Sequence, residues 1–82
     1  MKLHVKYFAS LRESVGRAGD DVELPCERLS VAELREHLAA QGIEALAETG
    51  KLRAAVNQVM AEPETSVGDG DEVAFFPPVT GG

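Results

Sequence analysis

Gly68-Asp69-Gly70-Asp71-Glu72-Val73-Ala74-Phe75-Phe76-Pro77-Pro78-Val79-Thr80-Gly81-Gly82 ends the sequence with a loop, a strand and a proline-led tail. Gly68-Asp69-Gly70-Asp71 has the composition of a tight loop. Glu72 to Phe76 follows as a strand, with Val73 and Phe75 on one face and Phe76 on the other. Pro77 and Pro78 stop it. Each fixes φ and lacks a backbone N–H, so neither helix nor central strand continues. The pattern predicts a folded domain over 1–76 and a flexible Gly-Gly tail over 77–82.

Working outward, residues 2–9 alternate and are rich in strand formers. Leu3, Val5 and Tyr7 fall on one face, and Lys2, His4, Lys6 and Phe8 on the other. Ser10-x-x-Glu13 has capping-box spacing and predicts a short helix over roughly 11–15, stopped by Gly16. Gly19-Asp20-Asp21 reads as a turn. Val22 and Leu24 alternate with Glu23 before Pro25, which predicts a strand antiparallel to the first. Ser30-x-x-Glu33 is a second capping box, and Val31, Leu34 and Leu38 follow at helical spacing. Gly42 ends this main helix, whose single apolar stripe places it across one sheet face. Residues 43–50 suggest a short helical turn. Leu52 to Val56 reads as a strand, with a short edge strand at 59–61. A hairpin, a crossing helix and returning strands give an α+β architecture.

Composition narrows the function. One domain fits in 82 residues, and its thin core leaves no room for a deep internal active site. A hydrophobic share of 44% with 27% charged residues describes a folded domain rather than a disordered chain. The net charge of −6 disfavours nucleic-acid backbones and anionic membrane surfaces, and favours partners with basic surfaces. Cys26 is the one cysteine, so no internal disulfide can form, which fits a reducing cytoplasm. With His4 and His37 widely separated, no zinc or iron–sulfur ligand set is present. Residues 1–10 are too short and too polar for a signal sequence, and no apolar run approaches the roughly twenty residues of a membrane span.

Four stretches carry a resemblance. Gly70 to Gly82, with its Phe-Phe-Pro-Pro-Val-Thr-Gly-Gly ending, is similar to the C-terminus of the small, sulfur-carrier subunit of molybdopterin synthase. Ala54-Ala55-Val56-Asn57-Gln58, Tyr7-Phe8-Ala9 with Leu11-Arg12-Glu13, and Val31-Ala32-Glu33-Leu34-Arg35 resemble further parts of that family, which leaves 17–28 and 43–49 as the least similar regions. The resemblance implies a ubiquitin-like β-grasp fold, a mixed sheet of four to five strands with one main helix packed across it. It implies a carrier without a bound cofactor or a catalytic site of its own. The Gly82 carboxylate would be adenylated by an adenylyltransferase of the ubiquitin-activating type, which consumes ATP. A sulfur donor protein would then supply sulfur for a thiocarboxylate. Gly81 and Gly82 would enter the large subunit of a heterotetrameric synthase and deliver sulfur to a cyclic pyranopterin precursor.

The residues suit that chemistry. A carboxylate is a poor electrophile until adenylation supplies a leaving group, and the α-carboxyl is ionised at neutral pH. Glycine lacks a Cβ, so Gly81-Gly82 can pass a narrow channel, and Pro77-Pro78 favours extended polyproline II. A chain ending directly after Gly-Gly is what a carrier requires. Phe8 and Phe76 are out of phase with the core residues of their strands, which predicts one outward aromatic patch. Met60 is placed beside it, and Pro77, Pro78, Val79 and Thr80 complete the expected partner interface. The alternative, with Tyr7 outward and Phe8 in the core, stays open at this level. Cys26 could carry sulfur as a persulfide, but no neighbouring group lowers its pKa, so a loop cysteine without a role is the simpler reading. Two other functions fit less well: a thiamin-pathway or other Gly-Gly sulfur carrier, and a non-covalent ubiquitin-like binding module.

Overall fold

The computed structural model describes residues 1–48 and 51–78. In chain order its elements are β1 (Lys2–Tyr7), α1 (Ala9–Val15), β2 (Gly19–Glu23), β3 (Arg28–Ser30), α2 (Val31–Ala40), α3 (Glu44–Glu48), β4 (Arg53–Val56), β5 (Val59–Ala61), β6 (Ser66–Gly68) and β7 (Glu72–Phe76). The main sheet has five strands in the order β2-β1-β7-β4-β5. Only β1 and β7 run parallel; the other pairings are antiparallel, so the sheet is mixed. The chain's last strand therefore lies at the centre, hydrogen-bonded on both sides.

Alternation builds the core on one sheet face. Leu3, Val5 and Tyr7 of β1 and Val73 and Phe75 of β7 are buried there with Ala54 of β4. Val31, Leu34 and Leu38 of α2 cover them, joined by Leu11, Leu24, Leu46 and Val67. The predicted stripe of the main helix is thus the stripe that is buried. Its predicted cap is also present: the Glu33 N–H donates to Ser30 Oγ at 3.1 Å, and the Ser30 N–H donates to Glu33 Oε1 at 2.9 Å. The Thr65 and Pro63 carbonyls accept from the N–H groups of Val31 and Ala32, meeting two more donors of the first turn.

Four expectations need correction. The first strand ends at Tyr7 rather than residue 9, because Ala9 swings to φ 54° and starts α1 directly after Phe8. The Ser10-x-x-Glu13 box does not form. Phe8 is the N-cap, with no side-chain hydrogen bond, so Ser10 already lies inside the first turn. Gly19-Asp20-Asp21 is strand, not turn. The glycine is needed for proximity: a Cβ there would sit 2.4 Å from the Val5 carbonyl oxygen. The chain reverses earlier, where Gly16 ends α1 at φ 88°. Finally, β3 and β6 form a second, two-stranded sheet that pairs Arg28 with Gly68 and Ser30 with Ser66. Each is three residues long, too short for alternation to be visible. Leu52 falls just outside β4, whereas the short helix after Gly42, the edge strand at 59–61 and the final strand at 72–76 form where expected.

Candidate functional site

The sheet face opposite α2 carries the candidate site. Tyr7 pairs with Phe75 in the parallel β1–β7 ladder, and the Phe8 N–H donates to the Phe75 carbonyl at 3.1 Å. Phe8 is thereby held in extended conformation, φ −122° and ψ 160°, alongside Phe76. Arg53 lies opposite Phe76 on the other side. The next row toward the sheet's interior runs Lys6, Ala74, Ala55 and Met60. Register thus gathers Phe8, Phe76 and Met60 on one face, with two alanines between them.

Exposure follows the same alternation. Phe8 is 47% and Met60 57% exposed, whereas Tyr7 and Phe75, one residue earlier in each strand, are buried at 1%. Phe76 is half-buried and lies outside the core cluster. The arrangement with Tyr7 outward and Phe8 inside does not occur. Ala74 is buried but also absent from the core cluster, as its place on this face requires. Sequence reading missed Val59, which is 69% exposed. It pairs with Val56 directly after the Asn57-Gln58 turn, and only this position at the tip of an edge strand signals its exposure.

Polar contacts fix the rim. The Tyr7 hydroxyl donates to Asp20 Oδ2 at 3.0 Å, and Arg17 Nε meets both Asp20 oxygens at 2.8 Å. Burial, reinforced by the Asp20 hydrogen bond, pushes the Tyr7 phenol well above its ordinary range. The Arg17 hydrogen bond holds the Asp20 carboxyl below the usual carboxylate range, with Tyr7 adding to the effect. Tyr7 therefore stays a protonated donor that ties β1 to β2 just before Phe8. At the far end, Asp71 accepts from the Gly68 N–H at 2.8 Å and from Asn57 Nδ2 at 3.0 Å, which together lower its pKa. Asp69 accepts from the Lys2 N–H at 2.7 Å. Both aspartates are turn-fixing groups.

Phe76 leads directly into Pro77 and Pro78, which are half-buried and belong to no helix or strand. Val79, Thr80, Gly81 and Gly82, the remainder of the predicted site, lie outside the described residues. Among those described, no cluster of His, Cys, Asp and Glu could hold a metal. His4 is exposed and 2.7 Å from Asp21, and Cys26 is a free, exposed cysteine. An apolar groove of about 460 Å³ runs between α2 and the β4–β5 edge, with Arg35 and Glu36 the charged residues among its described lining. Among its described lining residues there is no nucleophile paired with a base.

The fold and its strand-to-tail exit define a small ubiquitin-like β-grasp protein. The ThiS family model matches residues 5–82. The chain belongs to the ThiS family. It is 51% identical over 82 residues to the molybdopterin synthase sulfur carrier subunit of Escherichia coli (strain K12), covering 98% of this chain and 99% of that one. The subunit of the same name from Haemophilus influenzae is 48% identical with the same coverage. Among solved structures, a putative molybdopterin converting factor subunit 1 from Pyrococcus furiosus superposes with a TM-score of 0.82 at 31% identity, covering 96% of this chain and 99% of that one. A complex of subunits 1 and 2 of the molybdopterin-converting factor from Helicobacter pylori matches with a TM-score of 0.68 at 23% identity and full coverage of both chains, a likeness of fold.

Proposed function

We propose that this chain is the sulfur carrier of a molybdopterin synthase, with Gly82 as its reacting residue. The observation that carries the reading is the near-half identity, over essentially the whole length, to sulfur carrier subunits of that synthase. The geometry agrees with it, since the central strand runs straight into the Pro77-Pro78 exit beside an exposed aromatic face.

In this mechanism the Gly82 carboxylate attacks the α-phosphate of ATP in an adenylyltransferase, and pyrophosphate leaves. Hydrosulfide supplied by a donor protein then attacks the acyl carbon, the acyl–phosphate bond breaks, and AMP departs to leave a thiocarboxylate. The carrier docks through Phe8, Met60 and Phe76 on the large synthase subunit. Residues 77–82 act as a flexible tail that reaches the pyranopterin precursor, with Gly81 and Gly82 passing where side chains would clash. The thiocarboxylate sulfur, a stronger nucleophile than oxygen, attacks the precursor and displaces an oxygen substituent. Water then cleaves the resulting acyl–sulfur bond, so the precursor keeps the sulfur and the carrier returns as a carboxylate. The carrier binds no cofactor, and the free Cys26 fits a reducing, cytoplasmic setting.

Intact mass spectrometry tests this. Incubation with ATP, a sulfur donor and the activating enzyme should exchange one oxygen for one sulfur, and a chain with a residue added after Gly82 should stay unchanged. If the extended chain, confirmed uncleaved, supports molybdopterin formation, the mechanism is wrong. Thiocarboxylate formation without synthase activity would instead place the carrier in another sulfur pathway, such as that of thiamin.

A further inference from the structure

Beside the aromatic pair lie cations without a paired counter-charge, on a chain of net negative charge. Acidic residues outnumber basic ones 14 to 8, so most cations on this chain should find a carboxylate. Around the sheet's outer face they do. Lys6 Nζ lies 2.8 Å from Glu72 Oε1, His4 Nδ1 lies 2.7 Å from Asp21 Oδ1, and Arg17 is paired with Asp20 at 2.8 Å. Lys2, at the far end of β1, is an exception; beside the aromatic pair, Arg12 and Arg53 are exceptions too. Both arginines are exposed, and neither makes an ion pair among the described residues.

Their positions bracket the aromatic pair. Arg53 is the register partner of Phe76. Arg12 lies one helical turn beyond Phe8, whose carbonyl accepts its N–H at 3.3 Å, and the two side chains line one open concavity. Strands about 4.8 Å apart put β4 two spacings from β1, so the two cations flank the rings across a span that a single partner surface covers. Lys51, also exposed and without an ion pair among the described residues, lies two positions before Arg53.

Resting on the docking reading above, we infer that Arg12 and Arg53 select a partner subunit whose apolar seat for Phe8, Phe76 and Met60 is rimmed by carboxylates. A guanidinium group covered by a partner without a counter-charge loses its hydration and gains nothing in return. Carboxylates opposite would meet its forked donors, and the arginine stems can lie along the rings. The net charge of −6 predicts a basic partner, but a charge acts mainly within about 8–10 Å at physiological salt. At contact, the local pair of arginines outweighs the remote excess of carboxylates.

The test is the rate of association with the large synthase subunit, for the unaltered chain, the double reversal Arg12→Glu/Arg53→Glu, and Phe8→Ser/Met60→Ser. Melting curves confirm that each variant is folded. The reversal should slow association about tenfold or more at ~50 mM salt, with the difference shrinking below about twofold at ~500 mM as screening removes it. Unchanged or faster association in the reversal variant overturns the inference while leaving the docking face intact. A Phe8→Ser/Met60→Ser chain that binds like the unaltered one overturns the docking face itself, and the inference with it.

Discussion

Adjacent phenylalanines in β7 should fail in opposite ways when each is cut to alanine. Phe75 is 1% exposed in the core beneath α2, whereas Phe76 is half-buried on the opposite face beside Phe8. Truncating a buried phenylalanine costs about 3–5 kcal/mol through lost transfer energy and the cavity left behind. A domain of 82 residues holds only about 4–12 kcal/mol in total. Phe75→Ala should therefore remove a large share of the stability and leave the chain partly unfolded near physiological temperature. Phe76→Ala should cost about 1 kcal/mol, because the ring already contacts water and no closed cavity replaces it. Binding should show the reverse. Any folded Phe75→Ala still presents the aromatic face, but Phe76→Ala loses an aromatic anchor of a kind often worth about 2 kcal/mol or more at an interface. Urea unfolding gives the first quantity, and titration calorimetry with the large synthase subunit gives the second. Equal losses of stability in the two variants would refute the assignment of faces, and unweakened binding by folded Phe76→Ala would refute its role in docking.

Gly19→Ala should destabilise by about 2–3 kcal/mol, seen as a lower urea midpoint, because its Cβ would lie 2.4 Å from the Val5 carbonyl oxygen and must force β2 away from β1. Gln58→Gly should stabilise by about 0.4–1 kcal/mol, read the same way, since Gln58 holds φ 68° in a two-residue hairpin turn where glycine is unstrained. Tyr7 is the single tyrosine, so its ultraviolet titration is unambiguous. Its folded-state pKa is raised, so the stability it adds is fully present below about pH 10, the ordinary tyrosine value, and is lost as pH rises above that. The phenolate band should therefore emerge only with alkaline unfolding, and ionisation near pH 10 in the folded protein would contradict the Tyr7–Asp20 bond.

Long alternating or helical patterns were legible, and three-residue elements and exceptions to local rules were not. Two capping-box spacings illustrate why. Ser30-x-x-Glu33 forms both of its hydrogen bonds because the chain enters α2 from a short strand in extended conformation. Ser10-x-x-Glu13 has identical spacing and fails, because the Phe8 N–H is committed to Phe75 across the sheet and α1 begins two residues too early. That competition is between residues far apart in sequence, and no local window contains it. Gly19 failed for a related reason. A glycine chosen for a close strand contact looks, in one dimension, like a glycine chosen for a turn. The outward placement of Phe8 and Met60 was legible because alternation carries it directly, and parity likewise put Phe76 on the face away from the core. The unpaired state of Arg12 and Arg53 was not legible, since it depends on where every carboxylate ends up.

The position of β7 also sets the reach of the proposed chemistry. Pairing with β1 as far as Phe75 and with β4 as far as Phe76 holds the end of β7 in the sheet, so the tail starts from a fixed strand next to the proposed docking face. Six residues, 77–82, follow Phe76. Fully extended, they span at most about 20–22 Å. A partner that seats the Phe8–Phe76 pair must therefore place its reacting centre within that radius, and Pro77-Pro78 spends part of the span in a direction limited by two fixed φ angles. Docking and chemistry are coupled through this length. A partner with the correct seat but a more distant pocket would bind without reaction. Removing Gly82 would draw the carboxylate back by about 3.3–3.6 Å, and a misplacement of about 1 Å can already cost a hundredfold in rate. The tail's residue count is then as much a part of the site as its terminal glycine, and the aromatic face is the origin from which that count is measured.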